Sequence, residues 1–147
     1  MLVTCSALTR NVQRVTRNDY LGLMHLLALD IGKKHTGVAF ADSDAGYIIA
    51  LETIHHKTTD DLIIALRPVI EAKKVNELVI GLPRLPGGEE GEQAVFVRDT
   101  VKEITKDVPL PVTFVDERYT STGRGGDPDA RAACSILAAE LSRRNKS

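Results

Sequence analysis

Cysteine is scarce in this chain: Cys5 and Cys134 are the only two in 147 residues. Two such distant thiols make neither a disulfide framework nor a metal-binding spacing. That excludes a small stapled secreted scaffold and fits a reducing cytoplasm. Cys134 sits in an alanine-rich helical stretch, where it is expected to act as a small apolar residue. No apolar run approaches the length of a membrane span, so no membrane partner is expected. Net charge is also lacking, at -1 with 19 Lys and Arg against 20 Asp and Glu. A broadly cationic nucleic-acid coat is therefore excluded, and any such contact must come from a local patch. Internal repeats and a dividing linker are absent too, which leaves one domain of ordinary size.

Residues 1–23 read differently from the rest. Arg10, Arg14 and Arg17 face a single acid, Asp19. A basic arm and a weak transit-like leader both fit that composition. Met24 lies six positions before Asp30, where the first strand should begin. Met24 is thus expected to be the natural start, with 1–23 a disordered leader or start-site artefact and 24–147 the folded domain.

The remaining pattern alternates strands and helices. Leu26–Ile31, Thr36–Asp42 and Tyr47–Ile54 read as an antiparallel meander, with turns at Gly32–His35 and Asp44–Gly46. Thr58 opens a helix running to about Lys74, with Leu62, Leu66, Val69 and Ile70 at helical spacing. Pro68 inside it is expected to kink or shorten it. Glu77–Leu82 is a fourth strand, followed by a Gly/Pro loop and a helix from about Glu92 to Lys106. Val112–Val115 is a fifth strand. Asp127 suits an N-cap and Pro128 the first position of a last helix. The expected fold is α/β: a mixed five-stranded sheet, three antiparallel strands then parallel ones, flanked by helices. Sites in such sheets lie beyond strand ends.

Three acids occupy such places. Asp30 ends the first strand and precedes a glycine turn with Lys33 and Lys34. Glu117 follows the fifth strand, and Asp129 lies in the first turn of the last helix. Each alone has an ordinary reading: a turn former, a partner for Arg118, a helix-dipole residue. Together they can converge, and converging carboxylates repel strongly unless a divalent cation joins them. Mg²⁺ or Mn²⁺ suits such oxygen ligands. A carboxylate-held metal beside a phosphate-binding lysine turn points to phosphodiester chemistry.

Four motifs, in order, carry a family resemblance: Asp30-x-Gly32-x-Lys34-x-x-Gly37-Val-Ala; Gly81-Leu-Pro83 with Gly88-x-x-Gly91-x-Gln93; Asp116-Glu117-Arg118-x-Thr120; and Asp129-Ala-x-Ala-Ala-x-x-Ile-Leu137. Over about Met24 to Leu141 the chain resembles the YqgF/RuvX family, described both as Holliday junction resolvases and as nucleases maturing precursor 16S rRNA. The resemblance implies a ribonuclease H-like fold. It implies that Asp30, Glu117 and Asp129 hold Mg²⁺ or Mn²⁺, and that Lys34, Gly81, Pro83, Arg118 and Thr120 line the substrate cleft. The implied partner is structured RNA or branched DNA, with processing of the 5′ end of pre-16S rRNA in the cytoplasm the leading expectation. Junction resolution, a non-catalytic nucleic-acid-binding module and a homodimer are the further expectations. The segment 118–128 is shorter than in the family, which usually places a helix there. The Asp-x-Gly turn also resembles the phosphate loop of sugar-kinase and actin-like ATPases, but those close two such lobes around ATP and this chain has length for one.

Overall fold

Apolar residues at successive positions of the first strand, Leu26 to Leu29, demand cover on both faces of a sheet, and helices supply it on each side. The computed structural model describes residues 24–42, 47–117 and 127–145. Among them, strands β1 (His25–Ile31), β2 (His35–Asp42), β3 (Tyr47–Ala50), β4 (Ile54–His55), β5 (Glu77–Leu82) and β6 (Val112–Asp116) build one sheet. The helices are α1 (Thr59–Lys73), α2 (Glu92–Asp107) and α3 (Pro128–Asn145). The strand order is β3-β2-β1-β5-β6, with β4 also on β2. β2 is antiparallel to β1, and β5 and β6 run parallel to β1. The α/β mixed sheet expected from the sequence is therefore present.

The two faces differ in side-chain size. Leu27, Leu29 and Ile31 of β1 join Val38, Phe40, Leu78, Ile80 and Leu82 in the larger core, under α1 and α2. Leu26 and Ala28 join Ala39, Ala41 and Val79 on the other face, under Ala133, Ile136 and Leu137 of α3. That second face is paved with small residues, so α3 can lie close to the sheet. Cys134 is partly buried there, and burial pushes its thiol pKa up.

Helix ends follow the sequence. Thr58 caps α1 by accepting the Asp61 N–H at 3.1 Å. At the start of α3, Asp127 accepts the Asp129 N–H at 3.0 Å, and its carbonyl accepts the Arg131 N–H at 2.9 Å. Pro128 takes the first helical position, where no intrahelical N–H is needed.

Two expectations are corrected. Pro68 does not shorten α1, which runs from Thr59 to Lys73 with the proline inside. The carbonyl left without a partner belongs to Ile64, a residue 63% exposed, where water can serve it. The third strand is not continuous to Ile54, so the sheet has six strands rather than five. Ala39 pairs with Ala50, yet Thr36 pairs with Ile54, leaving three residues opposite two. This one-residue excess is a β-bulge at Leu51–Thr53, and it splits the strand into β3 and β4.

Candidate active site

β1, β5 and β6 are parallel, so their C-terminal ends share one edge of the sheet. Asp30, Gly81 and Glu117 lie at that edge. Asp30 continues the alternation of Leu26 and Ala28, which places it on the α3 side. Glu117 continues the alternation of Val115, whose side chain packs on the α3 face. The result is two carboxyl groups joined by a hydrogen bond, with Glu117 donating to Asp30.

Asp129 is brought up from the other layer. Gly37 pairs with Asp30 across β1 and β2. A Cβ on Gly37 would collide with the backbone carbonyl of Asp129, so the missing side chain is what lets the helix start reach the sheet here. Gly81 has a matching role: a Cβ there would meet the Ile136 side chain and lie 2.5 Å from Glu117 Oε1. Two glycines thus form the floor of the acid cluster.

The electrostatics follow. Burial pushes the Asp30 carboxyl up, and the charge of Asp129 adds to it, against the hydrogen bond from Glu117. Glu117 is pushed to about 8, first by burial, then by the hydrogen bond and charge of Asp30, and last by the charge of Asp116. At neutral pH the pair therefore shares one proton. Oxygen donors that must share a proton when alone suit a hard divalent cation, which would replace it. Among the described residues no three His, Cys, Asp or Glu side chains are gathered closely enough to enclose a metal ion. Asp30 and Glu117 thus fit as ligands, with Asp129 a nearby third charge.

Basic residues lie on the turn after β1 and the loop after β5. Lys34 is exposed on the turn after β1, and its carbonyl accepts the His56 N–H at 2.9 Å, which fixes the turn. His56 is itself buried and bonded to Thr36 Oγ1 at 2.8 Å, and burial lowers its pKa. Pro83 is half-buried just past the end of β5. Arg84, beside it, was not singled out by sequence reasoning. Its Nε lies 3.6 Å from Asp116 Oδ2, and its Nη1 donates to the Gly88 carbonyl at 2.9 Å. Arg84 is thus an ion-pair partner of Asp116, the last residue of β6. Position directly after Gly81-Leu-Pro83 was the available signal. Arg118 and Thr120 lie outside the described residues, as do Cys5 and the rest of 1–23. The basic residues Arg143 and Arg144 are engaged at the far end of α3. Both pair with the buried Glu140, and Arg144 also reaches Glu77 at 2.5 Å.

Comparison with known proteins follows the same lines. The family model RuvX, described as Holliday junction resolvase, matches residues 24–143. A "Putative pre-16S rRNA nuclease" of Moorella thermoacetica is 36% identical over 123 residues, covering 84% of this chain and 82% of that protein. One of the same name from Chromobacterium violaceum is 39% identical over 95 residues, covering 65% and 69%. Among solved structures, RuvC of Thermus thermophilus in complex with Holliday junction substrate superimposes with a TM-score of 0.58. That match covers 84% of this chain and 98% of RuvC at 10% identity, a likeness of fold. No helix among the described residues is long and apolar enough to cross a membrane.

Proposed function

Because the chain belongs to the RuvX family of Holliday junction resolvases, we propose that it is a divalent-metal-dependent endonuclease whose centre is Asp30, Glu117 and Asp129. The observation that carries the reading is the proton-sharing Asp30–Glu117 pair at the common strand-end edge, with the charge of Asp129 beside it. Bound Mg²⁺ or Mn²⁺ would activate water and stabilise the leaving oxygen of a phosphodiester. Asp30 and Glu117 would hold it, and Asp129 would complete the negative charge facing it. Lys34 neutralises substrate phosphate at the turn, and Arg118 and Thr120 would do so from the segment after Glu117. Gly81 makes room for Glu117 beneath the cleft, and Pro83, half-buried past the end of β5, would line it.

The substrate favoured is the 5′ region of precursor 16S rRNA, since relatives 36% and 39% identical are named for that RNA, and the cytoplasm is the compartment that goes with it. A four-way DNA junction is the second substrate, and a homodimer would present two sites to it. The test offers both substrates with Mg²⁺ or Mn²⁺ to wild type and Asp30→Asn. Cleavage of the rRNA fragment by wild type alone supports the reading. Junction cleavage alone moves the substrate to DNA. Tight binding without cleavage by either protein replaces the enzyme with a binding module.

A further inference from the structure

The bulge at Leu51–Thr53 does more than split a strand. On β3, Ile49 packs on the larger core and Ile48 on the α3 side, so odd and even positions face opposite ways. Beyond the bulge, Ile54 packs on the larger core although it is even. The extra residue has reversed the alternation. Thr53, which an unbroken strand would turn towards the larger core, is buried with its hydroxyl directed instead to the start of α3. There its hydroxyl donates to Asp127 Oδ2.

Asp127 is the point at which α3 begins. Its other carboxylate oxygen accepts the Asp129 N–H at 3.0 Å, and its carbonyl accepts the Arg131 N–H at 2.9 Å. The carboxylate is held below its ordinary pKa, first by the Thr53 hydrogen bond and then by the Asp129 N–H. One carboxylate thus joins a sheet-borne hydroxyl to the backbone of the third acid. The distance in sequence is 74 residues.

We propose that Thr53 is a positioning residue, which the bulge turns towards Asp127 so that the first turn of α3, and with it Asp129, is fixed against the Asp30–Glu117 pair. The idea rests on the nuclease reading for its catalytic consequence, but its mechanical part stands on the Thr53–Asp127–Asp129 chain alone. Small displacements of a charged group in such a centre cost on the order of ten- to a hundred-fold in rate.

Three variants test it. Thr53→Val keeps the shape and loses the donor. Thr53→Ser keeps the donor. Asp127→Ser keeps a helix cap but is too short to span to Thr53, and Asp127 is exposed, so folding tolerates it. Single-turnover and steady-state cleavage are measured, with hydrogen exchange at the Asp129, Ala130 and Arg131 amides. Thr53→Val and Asp127→Ser are expected to lower kcat by about ten-fold or more with KM within about two-fold, and to speed exchange at those amides. Thr53→Ser is expected to restore both. Unchanged kcat in Thr53→Val, where Asp30→Asn is inactive, overturns the positioning role. So does a rise in KM alone, which would make Thr53 a substrate contact. If Asp30→Asn cleaves like wild type, the nuclease centre is wrong, and unchanged amide exchange in Thr53→Val still decides against the clamp.

Discussion

Replacing Glu117 with glutamine should stabilise the protein at alkaline pH while abolishing cleavage. Glu117 is raised from 4.5 to about 8 in the folded state. Between those values the folded chain binds a proton that the unfolded chain has released, so stability falls as pH rises through this window. The nominal cost of the full shift is about 5 kcal/mol. Glu117 is only half-buried, and solvent screening reduces this to roughly 2 kcal/mol. Glutamine is neutral at every pH and copies the protonated form, including its donation to Asp30. Glu117→Gln should therefore match wild type near pH 5 and exceed it by roughly 6 °C in Tm at pH 8.5. Thermal melts of both proteins across this range, in chelator, provide the measurement. Mg²⁺ or Mn²⁺ added at pH 8.5 should then raise the melting temperature of wild type and leave Glu117→Gln nearly unmoved. A gap that does not change with pH, or that favours wild type at pH 8.5, refutes the shared-proton account.

Other outcomes are expected from the same geometry. Asp30→Asn should lower cleavage by about a hundred-fold or more with nucleic-acid binding retained, as read by gel shift beside a cleavage assay. Gly37→Ala drives a methyl group into the Asp129 carbonyl; it should cost about 1–3 kcal/mol in urea unfolding and reduce cleavage, while Val38→Ala should reduce stability alone. Glu140→Ala removes the buried partner of Arg143 and Arg144, although Arg144 keeps Glu77, and should cost about 1–3 kcal/mol. Burial pushes Glu140 up, but the two guanidiniums hold it below its ordinary value of 4.5. Its stabilisation is thus complete above about pH 4.5 and lost as pH falls further, and acid unfolding of wild type against Glu140→Gln reads that loss.

Much of the architecture was legible because it rests on local pattern. The short apolar runs at Leu26–Ile31 and Glu77–Leu82 specify buried strands, and β5 has the bounds its run suggests. Asp127-Pro128 marked the start of α3 through capping chemistry that involves only neighbours. The bulge was not legible, since it is a mismatch between two partners' registers and no single strand contains it. Nor were the links from Arg84 to Asp116 and from Thr53 to Asp127, which join residues far apart in sequence. Pro68 misled for a different reason: its cost depends on which way the freed carbonyl faces, and that is a property of the packed helix. The three acids were picked out by strand-end position and helix start. Sequence could not rank them, and the hydrogen bond that makes Asp30 and Glu117 a pair apart from Asp129 is a tertiary fact.

The small-residue face beneath α3 has a consequence for how the acid cluster tolerates error. Asp30 shares its side of the sheet with Leu26 and Ala28, and Ile31 shares the opposite side with Leu27 and Leu29. A slip of β1 by one residue would push the carboxylate into the apolar layer beneath α1 and α2. It would also thrust Leu27, Leu29 and Ile31 towards α3, on the face where Ala28, Ala39 and Ala41 leave the helix close to the sheet. No misregistered sheet can keep its core and merely misplace its acid. Chains that fold at all therefore arrive with Asp30 on the correct side, and proofreading of the site is carried out by packing long before any substrate is met.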